Sequence, residues 1–170
     1  YEGLLIRSAT KVTAEVIEKA ENLRVIGRAG IGVDNIEIPA ASKRGIVVMN
    51  TPTGNAVTTG EHALSLLLAT ARHIPRANAS MHEGKWEKSK FKGTELWNKT
   101  LGIIGLGNIG RIVAERAIGL KMKVIGSDPA VDPALVSSIG VEQVELDELL
   151  ARADFISLHT PLVASTKGLF

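Results

Sequence analysis

The chain has no cysteine in its 170 residues. That excludes a disulfide framework, thiolate catalysis and Cys-ligated zinc, and makes a reducing compartment, the cytoplasm, the expected setting. Aromatic residues are only 4% of the sequence, too few for the stacking platforms of a single-strand binder. Charge of one sign is also missing: 20 Lys and Arg against 18 Asp and Glu leave a formal +2, too little to argue for nucleic acid. No long hydrophobic run exists. The longest near-continuous apolar stretch, Ala63 to Ala71, is nine residues and contains Ser65 and Thr70, whereas a bilayer needs about 20. No basic and apolar leader opens the chain, so no signal peptide is expected.

What is present is the 45% apolar content of an ordinary globular protein, arranged as short branched-apolar runs alternating with helical patterns. This is the pattern of a parallel sheet flanked by helices. Strands are expected at Leu4–Ile6, Val25–Gly27 and Ile46–Met49. Between them, a helix capped by Thr13 runs to about Leu23, and another spans Ile38–Arg44 and stops at Gly45. Tyr1 leads straight into the first strand, so further residues are expected upstream. The turn-rich stretch Asn50–Asn55 is where a domain boundary is expected, separating residues 1–52 from 53–170. Asn55 then caps the longest helix, which is expected to reach Ile74 before Pro75. With Leu64, Leu66, Leu67 and Leu68 it is apolar on most sides, so it should be buried. The basic segment Met81–Lys92, carrying Trp86, has no clear period and reads as a surface arm or a contact between subunits.

Thr100–Gly110 reads TLGIIGLGNIG, a strand over Leu101–Ile104 followed by Gly105, Gly107 and Gly110 at GxGxxG spacing and a helix over Ile109–Leu120. Lys123–Ser127 is the next strand and ends in Asp128. Gly105 permits the tight strand-to-helix turn, Gly107 lets backbone N–H groups approach a pyrophosphate, and Gly110 allows the helix to pack closely. The pyrophosphate would sit at the positive helix terminus. Asp128, 18 residues beyond Gly110, is placed to accept the hydroxyls of an adenine ribose. Glycine supplies 17 residues, so spacing alone would be weak; strand, helix, second strand and acid together point to a dinucleotide. A carboxylate at Asp128 repels a 2′-phosphate, and Pro129-Ala130-Val131 offers no cation, so NAD is favoured over NADP. Counting the strands near Ile103, Ile125 and Phe155–Leu158 as one mononucleotide-binding half gives an α/β fold. It is a Rossmann-type doubly wound parallel sheet, first half only.

The segments RSATKVT (Arg7–Thr13), GRAGIGVDNI (Gly27–Ile36), NTPTGNAVTTGEHAL (Asn50–Leu64), LGIIGLGNIGR and HTPL (His159–Leu162) follow one another in an order that resembles the D-isomer-specific 2-hydroxyacid dehydrogenases. The resemblance implies that residues 1–52 are part of a flavodoxin-like substrate-binding domain and that the remainder is part of a Rossmann cofactor domain binding NAD. Its cofactor contacts fall on Asn108, Ile109, Asp128, Thr160 and Pro161, with Gly105, Gly107 and Gly110 shaping the turn. Ile31 stands where relatives can carry Thr, which leaves only backbone or van der Waals contact. Asn108 stands where relatives often carry Arg, yet it can still present its N–H. On the substrate side the resemblance assigns Arg7 and Ser8 to a phosphorylated end, the backbone at Ala29 and Gly30 to a carboxylate, and Arg28 and Asn50 to further ligand contacts. Ordinary ion pairing, for Arg28 with Asp34, is the competing explanation.

No catalytic residue is assigned, because the family's Arg, its carboxylate and its acid/base His are expected beyond Phe170. His62, His73, His82 and His159 are read as structural or surface groups. The resemblance implies NAD-dependent oxidation of a small phosphorylated 2-hydroxy acid, 3-phospho-D-glycerate. A relative acting on glycerate, lactate or formate and an NAD-sensing corepressor-like module are the alternatives. The implied partners are that small-molecule substrate and copies of the same chain, as a homodimer or homotetramer, with no nucleic acid and no membrane.

Overall fold

The computed structural model describes residues 1–169 and divides into two compact units, Tyr1–Val57 and Thr58 onward. The first is built from β1 (Gly3–Ile6), α1 (Ala14–Lys19), β2 (Val25–Arg28), α2 (Ile38–Lys43) and β3 (Val47–Asn50). Its strands form a parallel sheet in the order β1-β2-β3, with Ile6, Arg28 and Asn50 level with one another at the C-terminal edge. Ile6, Val12, Ile17, Leu23, Ile26, Ile36, Ala41 and Ile46 make its core. Thr13 caps α1 by accepting the Val16 N–H. The helix ends at Lys19, short of the expected Leu23, where the backbone of Ala20 leaves the helical conformation at ψ 69°. The Arg44 guanidinium, at the end of α2, collects the carbonyls of Ile17, Ala20 and Glu21.

The longest helix, α3 (Ala56–Ala71), crosses the division between the units. It is shorter than the sequence suggested: His73 takes the left-handed conformation at φ 54°, and a second helix, α4 (Ile74–His82), starts there with Pro75 in its first turn. Proline has no N–H to give and is tolerated only where none is needed, so it begins a helix instead of closing one. The Met81–Lys92 segment accordingly opens inside α4 and contains a 3₁₀ turn at Lys88–Phe91. Within the second unit, Ala63, Leu67, Leu68 and Ala71 pack on its core while Leu66 stays exposed. Gly60 brings α3 against Ile112, and Glu61 pairs with Arg116 at 3.0 Å.

The sheet of the second unit uses β4 (Thr100–Ile104), β5 (Lys123–Ser127), β6 (Glu142–Gln143) and β7 (Phe155–Leu158), all parallel, in the order β6-β5-β4-β7. They alternate with α5 (Asn108–Gly119), α6 (Pro133–Ser138) and α7 (Leu146–Arg152). The α/β class and parallel pairing are as expected, but the place of Phe155–Leu158 is not. That strand is on the far side of β4, and the two-residue β6 completes the three strands of the first half. The chain winds outward through β5 and β6, then crosses back over β4. The direction of winding reverses between β5 and β7, around β4, the position where doubly wound sheets bind ligands at their carboxyl ends.

Candidate functional site

At the carboxyl end of β4 the backbone turns into α5 within three residues. Gly105 adopts φ 91°, donates its N–H to Ser127 O at 3.0 Å, and passes so close to β7 that an added Cβ would lie 2.7 Å from His159 O. A side chain is excluded there on both conformational and spatial grounds. Leu106 is fully buried, its side chain lying over Gly126 of β5, while its N–H donates to Asp128 Oδ2 at 2.7 Å. Gly107 caps α5, is exposed, and has nothing within 4 Å of where a Cβ would stand. Gly110 is the reverse case: a Cβ would lie 2.0 Å from Gly105 O.

Around this turn stand the other residues expected to meet a cofactor. Asn108 and Ile109 begin α5, the first exposed and the second half-buried, and Asn108 Oδ1 accepts from Arg111 at 2.9 Å. Asp128, just past β5, accepts the Ala130 N–H on Oδ1 at 2.9 Å, and its backbone carbonyl accepts from Gln143. Thr160 and Pro161 follow β7, and Thr160 borders the Gly105 turn. His159, between them and β7, has Nε2 2.8 Å from Ser157 Oγ, and burial holds its imidazolium below the usual histidine range. Leu106, Gly126 and Gln143 escaped the motif reading, because they shape this turn through van der Waals contact and backbone bonds that no spacing rule encodes.

In the first unit, the expected substrate residues all fall at the carboxyl edge of the β1-β2-β3 sheet. Arg7 and Ser8 follow β1 and are exposed. Asn35, which sequence reasoning passed over, ties their loop down by donating to the carbonyls of Arg7 and Thr10 at 3.0 and 2.6 Å. Ala29 N–H is used by Ile6 O at 2.9 Å, which leaves the carboxylate contact expected here to Gly30. Arg28 folds its guanidinium over Gly30, whose φ of 153° and missing Cβ make room for it. Among the described residues neither Arg7 nor Arg28 makes an ion pair, so the competing Arg28–Asp34 bridge is absent. Asn50 Nδ2 donates to Ile31 O at 2.7 Å, fixing the backbone of the loop that carries Ile31.

The described histidines form no cluster with acids, and no group among the described residues could hold a metal ion. Nor is any described helix long and apolar enough to cross a membrane.

Residues 64–170 match the NAD binding domain of the D-isomer specific 2-hydroxyacid dehydrogenases, and the chain belongs to that family. NAD is the cofactor of that domain. Among individual proteins, the chain is 56% identical over 168 residues to the D-3-phosphoglycerate dehydrogenase of Pongo abelii, a match covering 99% of this chain and 32% of that protein. Solved structures agree. The TT0316 protein from Thermus thermophilus superposes with a TM-score of 0.90 at 36% identity, covering 99% of this chain and 53% of that one. A D-lactate dehydrogenase from Aquifex aeolicus complexed with NAD and lactic acid gives 0.88 at 30%, covering 97% and 50%. The chain thus spans about a third of the length of the curated relatives it matches.

Proposed function

We propose that the whole protein is an NAD-dependent dehydrogenase that oxidises the C2 hydroxyl of 3-phospho-D-glycerate to the ketone 3-phosphohydroxypyruvate, the entry to serine synthesis. The observation that carries the nucleotide part is the turn at β4. It combines an open space at Gly107, a helix start behind it, and an Asp128 carboxylate at the end of the neighbouring strand. These fit NAD: the Asn108 and Ile109 amides at the positive end of α5 would take the pyrophosphate, and Asp128 would take the adenine ribose. Each Asp128 oxygen accepts one amide and keeps a second acceptor site for a ribose hydroxyl. Thr160 and Pro161 would border the cofactor at the end of β7, and Ile31 would touch it through backbone or van der Waals contact.

NAD, when bound, supplies the hydride acceptor. The residues of this chain bind and orient. Arg7, exposed and without an ion pair among the described residues, offers a planar fork of donors to the phosphate, with Ser8 beside it. The Gly30 amide, next to the Ala29 N–H that Ile6 O holds, receives the carboxylate, and Asn50 fixes that loop. Binding energy from the remote phosphate then orients the reacting carbon. The group that takes the hydroxyl proton is assigned to a part of the whole protein other than these residues. A homodimer or homotetramer working in the cytoplasm completes the reading.

The choice of a phosphorylated substrate rests on similarity to D-3-phosphoglycerate dehydrogenases and on the uncommitted Arg7. Arg7→Ala in the full-length protein should raise KM for 3-phospho-D-glycerate by about tenfold or more while leaving KM for D-glycerate little changed, because only the first loses a charge partner. Equal losses on both would place Arg7 in a structural role.

A further inference from the structure

The turn that must aim amides at a diphosphate contains two glycines in three residues, and glycine has the most backbone freedom to lose. Something has to hold it before a ligand arrives. Three ties lead from it to the end of β5. Gly105 N–H bonds Ser127 O, the Leu106 side chain lies over Gly126, and Leu106 N–H donates to Asp128 Oδ2 at 2.7 Å. Of the three, the last is the one made to an ionisable side chain, and hydrogen bonds to a carboxylate are about twice as strong as neutral ones. Ala130 N–H, on Oδ1 at 2.9 Å, keeps the carboxylate from turning away.

We propose that Asp128 is a positioning residue for the glycine-rich turn in addition to being a ribose acceptor: by fixing the Leu106 amide it sets the direction of the Gly107, Asn108 and Ile109 amides that meet a diphosphate. This rests on the NAD reading above and deepens it. A residue that only accepted ribose hydroxyls would be irrelevant to a ligand without them. A residue that holds the turn matters to every ligand with a diphosphate. The two roles use different acceptor sites on the same oxygens, so both can operate at once.

The test uses full-length wild-type and Asp128→Ala protein titrated with ADP and with 2′,3′-dideoxy-ADP, which lacks both ribose hydroxyls. Substitution should weaken the dideoxy compound about tenfold, the effect of one lost charge-assisted bond. Without ligand, the peptide carrying Gly105 to Ile109 should exchange its amide hydrogens faster in the variant, and the Lys123–Ser127 peptide should be unaffected. If Asp128→Ala does not fold, Asp128→Val carries the same expectation, since its side chain has no acceptor for the Leu106 N–H. Loss confined to ADP, with the dideoxy compound within twofold of wild type and exchange unchanged, would overturn the proposal alone. Failure of wild type to bind either diphosphate would overturn the NAD reading and the proposal with it.

Discussion

His159 is half-buried beside the glycine-rich turn, and desolvation there disfavours its charged form. Its folded-state pKa is lowered below the ordinary value of about 6.5, so the unfolded chain takes up the proton first as the pH falls. The resulting contribution to stability is complete above that value and is lost as the pH drops from it through the folded pKa. Urea midpoints of the wild type should therefore fall more between pH 7.5 and pH 5.5 than those of His159→Gln. Parallel pH dependence in the two would contradict the assignment. The same histidine shows why residue type is a poor guide to role. Its position at the end of β7 invites a catalytic reading, whereas its ring is directed to Ser157 within its own segment. Arg28 is the opposite case. A spacing of six would allow a bridge to Asp34, but the guanidinium folds back over Gly30 instead, a turn of the side chain that no sequence spacing encodes.

At the scale of elements, the strand–turn–helix from Thr100 to Gly119 separates two kinds of glycine. Gly110→Ala would set a methyl 2.0 Å from the Gly105 carbonyl, a backbone atom with no room to swing away, and should cost about 1–3 kcal/mol of stability. Gly107→Ala meets nothing within 4 Å and keeps a φ of −64° open to any residue, so stability should change by less than about 0.5 kcal/mol. Its methyl would instead occupy the diphosphate's approach, so NAD affinity should fall at least about tenfold. Calorimetric NAD titration with thermal melts of both variants checks this, and full NAD affinity in Gly107→Ala would contradict it. This element was legible because a buried parallel strand, a glycine fingerprint and a terminal acid are all local signals. The sheet order was not. Nothing in the periodicity of Phe155–Leu158 says on which side of β4 it pairs, and β6, with two residues, has too little pattern to read. The end of α3 near Pro75 was legible to within a few residues, whereas the second helix was not: Pro75 reads as a stop, and only the left-handed His73 makes it the first turn of α4.

At the scale of the whole molecule, two parallel-sheet units each present a set of expected ligand residues at the carboxyl ends of their strands. Trp86 is 79% exposed, and a cavity of about 220 Å³ beside it is lined by Ala77, Met81 and Phe91 together with Ser80, Lys85, Glu87 and Lys88. An exposed tryptophan with a polar rim suits a contact between copies of the chain. Sedimentation of full-length Trp86→Ala at falling concentration should show smaller species than the wild type, and an unchanged assembly would count against that contact. The proposed chemistry is read out by mixing purified full-length protein with NAD and 3-phospho-D-glycerate and following NADH. NADH should form with this substrate at a rate well above that with D-glycerate, D-lactate or formate. No NADH from 3-phospho-D-glycerate, or turnover only of the unphosphorylated acids, would contradict it.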